Sequence, residues 1–105
     1  MIKVYLSKDK IKIEGHSDYA PIGKDIVCSS ASSIFITTVN ALYKIDKDSI
    51  NYKNYVDKKN DNNDYSLLEI KKHSEVIDIL IDNMIELFDD LSKQYPKDII
   101  LIKEM

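Results

Sequence analysis

One cysteine, two histidines, two glycines and two prolines are all that 105 residues hold of the types that most often carry special chemistry or special backbone shapes. A single thiol, Cys28, excludes an intramolecular disulfide. Two histidines and one cysteine are too few for a zinc centre built on nitrogen and sulfur ligands, so no metal and no cofactor is expected. There is no glycine-rich phosphate loop, no dinucleotide fingerprint and no Gly-x-Ser-x-Gly elbow, although Ser29, Ser30, Ser32 and Ser33 cluster after Cys28. No uninterrupted apolar stretch approaches the roughly 20 residues that span a bilayer. The start, Met1-Ile2-Lys3-Val4, is strand-like and lacks the form of a signal peptide. No membrane association and a cytoplasmic location are therefore expected. The net charge is −3. Without a basic excess, direct nucleic-acid binding is not expected, and a basic partner suits the chain better.

What is present is ordinary for a globular protein: 44% hydrophobic and 31% charged residues. The length fits a single domain, residues 1–105, with no linker and no repeat.

Hydrophobic periodicity supplies the element order. Ile2, Val4 and Leu6 alternate with Lys3 and Tyr5, which predicts a strand. Ser7 to Lys10 reads as a turn, and Ile11 and Ile13 continue a second strand that ends at Glu14-Gly15. His16 to Lys24 has neither period and reads as a loop. Asp25-Ile26-Val27-Cys28 leads into a helix whose apolar side is Ala31, Phe35, Val39 and Leu42, widened by Ile34 and Ile36. Strands are predicted from Ile50 to Asp57 and from Tyr65 to Ile70, joined by a polar turn. Ser74 caps a second helix with Ile77, Ile81, Met84, Phe88 and Leu91 on one side, and Pro96 stops it. Ile99 to Ile102 is a continuous apolar run that predicts a strand buried on both faces. The order β-β-α-β-β-α-β implies an α+β fold of two layers, a mixed sheet with two helices packed against it.

The informative segment runs from Gly15 to Cys28. It puts an imidazole, His16, at the end of a strand and a thiol, Cys28, at the start of a helix. The two groups can meet across one sheet edge. A thiolate is the nucleophile, and a neighbouring imidazole that takes its proton makes it available at neutral pH. With Cys28 in the first turn of its helix, free N–H groups of Cys28 or Ser29 would stabilise both the thiolate and the oxyanion of acyl transfer. Asp18 or Asp25 could orient His16, although Asp25 is equally a helix-start carboxylate. Ser32, one turn beyond Cys28, either lines the site or lets the helix pack closely. A single cysteine on an apolar helix is also a common packing residue, so the residues alone leave both readings open. His73 reads as a solvated side chain. Tyr52 and Tyr55 read as packing residues of a strand or stacking groups for a partner.

Gly15-His16, then Gly23-x-Asp25-Ile26-Val27-Cys28, then Ser32, with His16 and Cys28 twelve residues apart, resembles the ribosomal-processing cysteine protease family, Prp. Element order and length resemble it as well. The resemblance implies a thiol endopeptidase that removes the N-terminal extension of a large-subunit ribosomal protein. It implies that Cys28 attacks and His16 acts as base and then acid. Gly15 and Asp25 would shape the site, Ser32 would line it, and Gly23 would be a hinge of the loop before Cys28. A homodimer is also implied. Ser17, and Ser29-Ser30 after Cys28, depart from the smaller or apolar residues frequent in the family. The alternative is a non-catalytic interaction module of ribosome assembly with a structural cysteine. A redox role would usually need a resolving cysteine, and there is none.

Overall fold

Five strands and two helices follow the predicted order in the computed structural model, which describes residues 1–15, 22–55 and 64–104, with the backbone alone at 22–25. The elements are β1 (Ile2–Leu6), β2 (Lys10–Glu14), α1 (Ile22–Ile45), β3 (Ile50–Tyr55), β4 (Tyr65–Ile70), α2 (Glu75–Gln94) and β5 (Ile99–Lys103). The strands form one mixed sheet in the order β3-β4-β2-β1-β5. Only β1 and β5 run parallel; the other neighbours are antiparallel. This is the expected α+β architecture.

Alternation along each strand decides which face meets the helices. Ile2, Val4, Leu6, Ile11, Ile13, Leu68 and Ile70 are all buried. From α1 they meet Val27, Ala31, Phe35, Val39 and Leu42, and from α2 they meet Ile77, Ile81, Met84, Phe88 and Leu91. Ser74 caps α2 by accepting a hydrogen bond from the Ile77 N–H at 3.3 Å. Glu75 and Asp78 sit in the first turn, where the helix dipole favours them. By length and composition the 20 residues Ile26–Ile45 could cross a membrane. Their apolar stripe is instead packed into this core.

Three expectations are corrected. The helix containing Cys28 begins at Ile22, so Ile22, Gly23 and Lys24 are helical and not loop. Pro21 in the sequence immediately precedes it, and a proline at a helix start forfeits no intrahelical bond, so the helix is free to begin before Asp25. Gly23 therefore lies in the first turn of α1 and is not a loop hinge. Ile36 does not widen the buried stripe: it is 43% exposed, one residue past Phe35 and turned off the core. Finally, β5 is not buried on both faces. Ile99 is 1% exposed but Ile100 is 42% exposed, because β5 is an edge strand and both helices lie on one side of the sheet.

The opposite sheet face carries Lys3, Tyr5, Lys12, Glu14 and Tyr65. There the Tyr5 hydroxyl donates to Glu14 Oε1 at 2.9 Å, which raises the tyrosine pKa. Lys12 Nζ lies 3.5 Å from Glu14 Oε2 and 4.7 Å from the centre of the Tyr65 ring.

Candidate active site

Cys28 is the seventh residue of α1, counted from Ile22. It is a free thiol, partly buried, and packs against the core between the fully buried Val27 and Ala31. The unpaired N–H groups of an α-helix belong to its first four residues. In α1 these are Ile22 to Asp25, so Cys28 and Ser29 are not in the first turn. The expected oxyanion donors there are displaced by one turn, because the helix starts earlier than its apolar pattern implied.

One turn beyond the thiol, Ser32 opens onto a cavity of about 280 Å³. Helix α1 contributes Ser32, Phe35 and Ile36 to its wall. The sheet contributes Ile13 of β2, Tyr52 and Asn54 of β3 and Ser66 of β4, and Asp64, just before β4, also lines it. The Phe35 and Tyr52 rings touch at 5.8 Å between centres, tilted by 45°. Ser66 Oγ donates to Asn54 Oδ1 at 3.0 Å. The hollow thus mixes the apolar groups Ile13, Phe35, Ile36 and Tyr52 with the polar side chains Ser32, Asn54 and Ser66. Ser32 lines this cavity. Tyr52 packs on Phe35, and Tyr55 stacks on Tyr65 with ring centres 5.1 Å apart.

Gly15, the residue after β2, has φ +94°. A side chain there would run into the carbonyl oxygen of Met1, with the Met1 carbonyl carbon and Ile2 Cα only slightly further off. Both the positive φ and the close approach of the neighbouring chain require glycine. Gly15 lies at the same end of β2 as Ile13, which enters the cavity wall. His16 itself, Asp18, and the side chain of Asp25 lie outside the described residues.

His73 is exposed to solvent, as expected, and is also held on both sides. Its Nε2 lies 2.6 Å from Asp9 Oδ1 and its Nδ1 lies 2.7 Å from Asp78 Oδ1. Only the imidazolium donates from both nitrogens, so this geometry favours the charged form. The hydrogen bond to Asp78 is the larger cause, and that to Asp9 the next, of a pKa raised above 6.5. The clasp ties the β1–β2 turn to the start of α2. Asp9 lies 64 residues away in the chain, so no local pattern announced it.

A family described as "Cysteine protease Prp" matches residues 1–100. No curated protein matches the sequence. Among solved structures, one similar chain is the essential ribosomal processing protease Prp from S. aureus in complex with a substrate peptide. It has a TM-score of 0.81 and 19% identity, over 99% of this chain and 100% of that one. The same protease with a covalently linked product peptide gives 0.77 and 20%, over 99% and 100%. SMU.848 from Streptococcus mutans gives 0.74 and 18%, over 98% and 93%.

Proposed function

The chain belongs to the Prp family of cysteine proteases, and from that premise we propose that it cleaves the N-terminal extension from a large-subunit ribosomal protein with a Cys28–His16 dyad. The observation that carries this reading is the cavity that begins at Ser32, one helical turn from the only thiol in the chain.

His16 takes the proton of Cys28, and the thiolate sulfur attacks the scissile carbonyl carbon. The carbon–nitrogen bond then breaks, and the His16 imidazolium gives its proton to the departing amine. A thioester remains on Cys28. Water, deprotonated by His16, attacks that thioester, and the thiol is regenerated with release of the acid product. Gly15, held at φ +94° by its close approach to Met1, shapes the site. Asp25 shapes the site, and Ser32 lines the path of the peptide. Gly23 acts as part of the helix start that carries Cys28. The protease domain spans residues 1–105, works as a homodimer in the cytoplasm, and engages its ribosomal-protein partner without binding nucleic acid directly. The non-catalytic assembly module gives no account of membership in a protease family.

The test is incubation with a synthetic peptide spanning the ribosomal-protein extension, read by mass spectrometry beside Cys28→Ala. Cleavage at one bond by the wild type alone is the expected result. An intact peptide in both samples would contradict the assignment.

A further inference from the structure

The backbone register of β3 shows which of its main-chain groups are unpaired. The Ile70 N–H donates to the Asp9 carbonyl at 2.7 Å, so Ile70, Leu68 and Ser66 turn their main-chain groups toward β2. The intervening residues of β4 turn toward β3, as does Lys71, whose N–H donates to the Ser49 carbonyl at 2.7 Å. In an antiparallel ladder alternate opposite pairs exchange hydrogen bonds. The bonded pairs are therefore Asn51 with Glu69, Lys53 with Leu67 and Tyr55 with Tyr65. The N–H and C=O groups of Tyr52 and Asn54 point out of the sheet. β3 is an edge strand, and among the described residues nothing pairs with this side of it.

The same two residues line the cavity with their side chains. We propose that an extended segment of the substrate peptide adds to the free edge of β3, paired through Tyr52 and Asn54, and places one of its side chains in the cavity beside α1. The proposal rests on the protease reading above. Three observations select this occupant. First, an extended peptide satisfies edge groups and fills an adjacent groove in one act, as in other strand-addition sites. Second, β3 and α1 run in opposite directions: Tyr52 meets Phe35, while Asn54 shares the cavity with Ser32. Moving from Tyr52 through Asn54 therefore leads toward Cys28. Third, a chain of the same fold has been solved with a substrate peptide bound.

The spacing is consistent with cleavage close by. Four helical residues from Ser32 to Cys28 span about 6 Å at about 1.5 Å each. An extended peptide covers that in about two residues at about 3.3 Å each. The side chain in the cavity thus belongs about two residues from the scissile carbonyl. Phe35, Ile36 and Tyr52 favour an uncharged side chain there.

The test uses proline at a position where only an outward N–H is lost. Asn54→Pro deletes that donor while sparing the ladder to β4, and proline is tolerated at such edge positions. Asn54→Ala removes the side chain and keeps the N–H. With the ribosomal-protein extension peptide as substrate, KM for Asn54→Pro is expected about ten-fold above that for Asn54→Ala, the worth of one ordinary hydrogen bond, with kcat little changed. Equal KM values in two folded variants would overturn the pairing while leaving the protease assignment intact. Should Asn54→Pro fail to fold, amide exchange on Cys28→Ala decides. The peptide is expected to slow exchange at Tyr52 and Asn54 by about ten-fold or more. A peptide that binds without slowing them, or protection already present in the free protein from a second copy on this edge, would sink the inference. A wild type that neither binds nor cuts the peptide overturns both readings.

Discussion

Replacing Gly15 with alanine perturbs the one described backbone position where β2 hands over to His16. At φ +94° an alanine pays for the left-handed region, about 1–2 kcal/mol. Its Cβ also meets the Met1 carbonyl, which must move. That shift strains an anchored strand start, since the Ile2 N–H donates to the Asp98 carbonyl at 2.8 Å. Against this, alanine restricts the unfolded chain and returns about 0.4–1 kcal/mol. With the displaced carbonyl included, the net loss is about 2 kcal/mol. For a domain of this size that lowers Tm by about 8–15 °C. Circular dichroism melts of wild type and Gly15→Ala read the change directly. Peptide cleavage should fall too, because the residue that follows is the proposed base. A Tm equal to or above that of the wild type would refute the reasoning about this turn.

Four further outcomes are expected. Cys28→Ala should abolish peptide cleavage while Tm stays within about 5 °C of the wild type, because the thiol is only partly buried; activity assays and melts check both. Phe88→Ala should cost about 3–5 kcal/mol in denaturant unfolding, since the ring is completely buried between helix and sheet. Ser74→Ala should cost about 1 kcal/mol by removing the cap on the Ile77 N–H, again read by denaturant titration. The His73 clasp should titrate with a midpoint above 6.5 by NMR of its ring protons. Because the folded pKa is raised, its stabilisation is full below 6.5 and is lost as pH rises through the folded value. The Tm advantage of wild type over His73→Gln should therefore shrink on going to higher pH.

Much of the fold was legible because its signals are local. Alternation in Ile2, Val4 and Leu6 and the 3.6-residue stripe from Ile77 to Leu91 each fix one element and its buried side. Ser74 marks a helix start by its own hydrogen bond. The start of α1 was not legible in the same way. Gly23 and Pro21 resemble loop residues in sequence, and a helix start with no apolar stripe has no periodic signal. The burial of β5 was misjudged for a different reason. Its run of isoleucines looks the same whether helices cover one sheet face or two, and only the tertiary arrangement decides that. In the candidate site, Cys28 and Ser32 stand one turn apart on one helix in the sequence pattern, while Gly15 was marked only by the family resemblance. Asn54 and Ser66 carried no such mark, because they reach the cavity from strands more than 20 residues away along the chain. The Asp9–His73–Asp78 clasp was hidden likewise, since its closest approach spans most of the chain.

The most direct test of the central claim is intact-protein mass spectrometry on samples quenched during turnover of the ribosomal-protein extension peptide. A covalent thioester mechanism predicts a transient mass increase equal to the acyl part of the peptide, located on Cys28 and absent from Cys28→Ala. Cleavage that proceeds without any adduct, and persists in Cys28→Ala, would contradict the account.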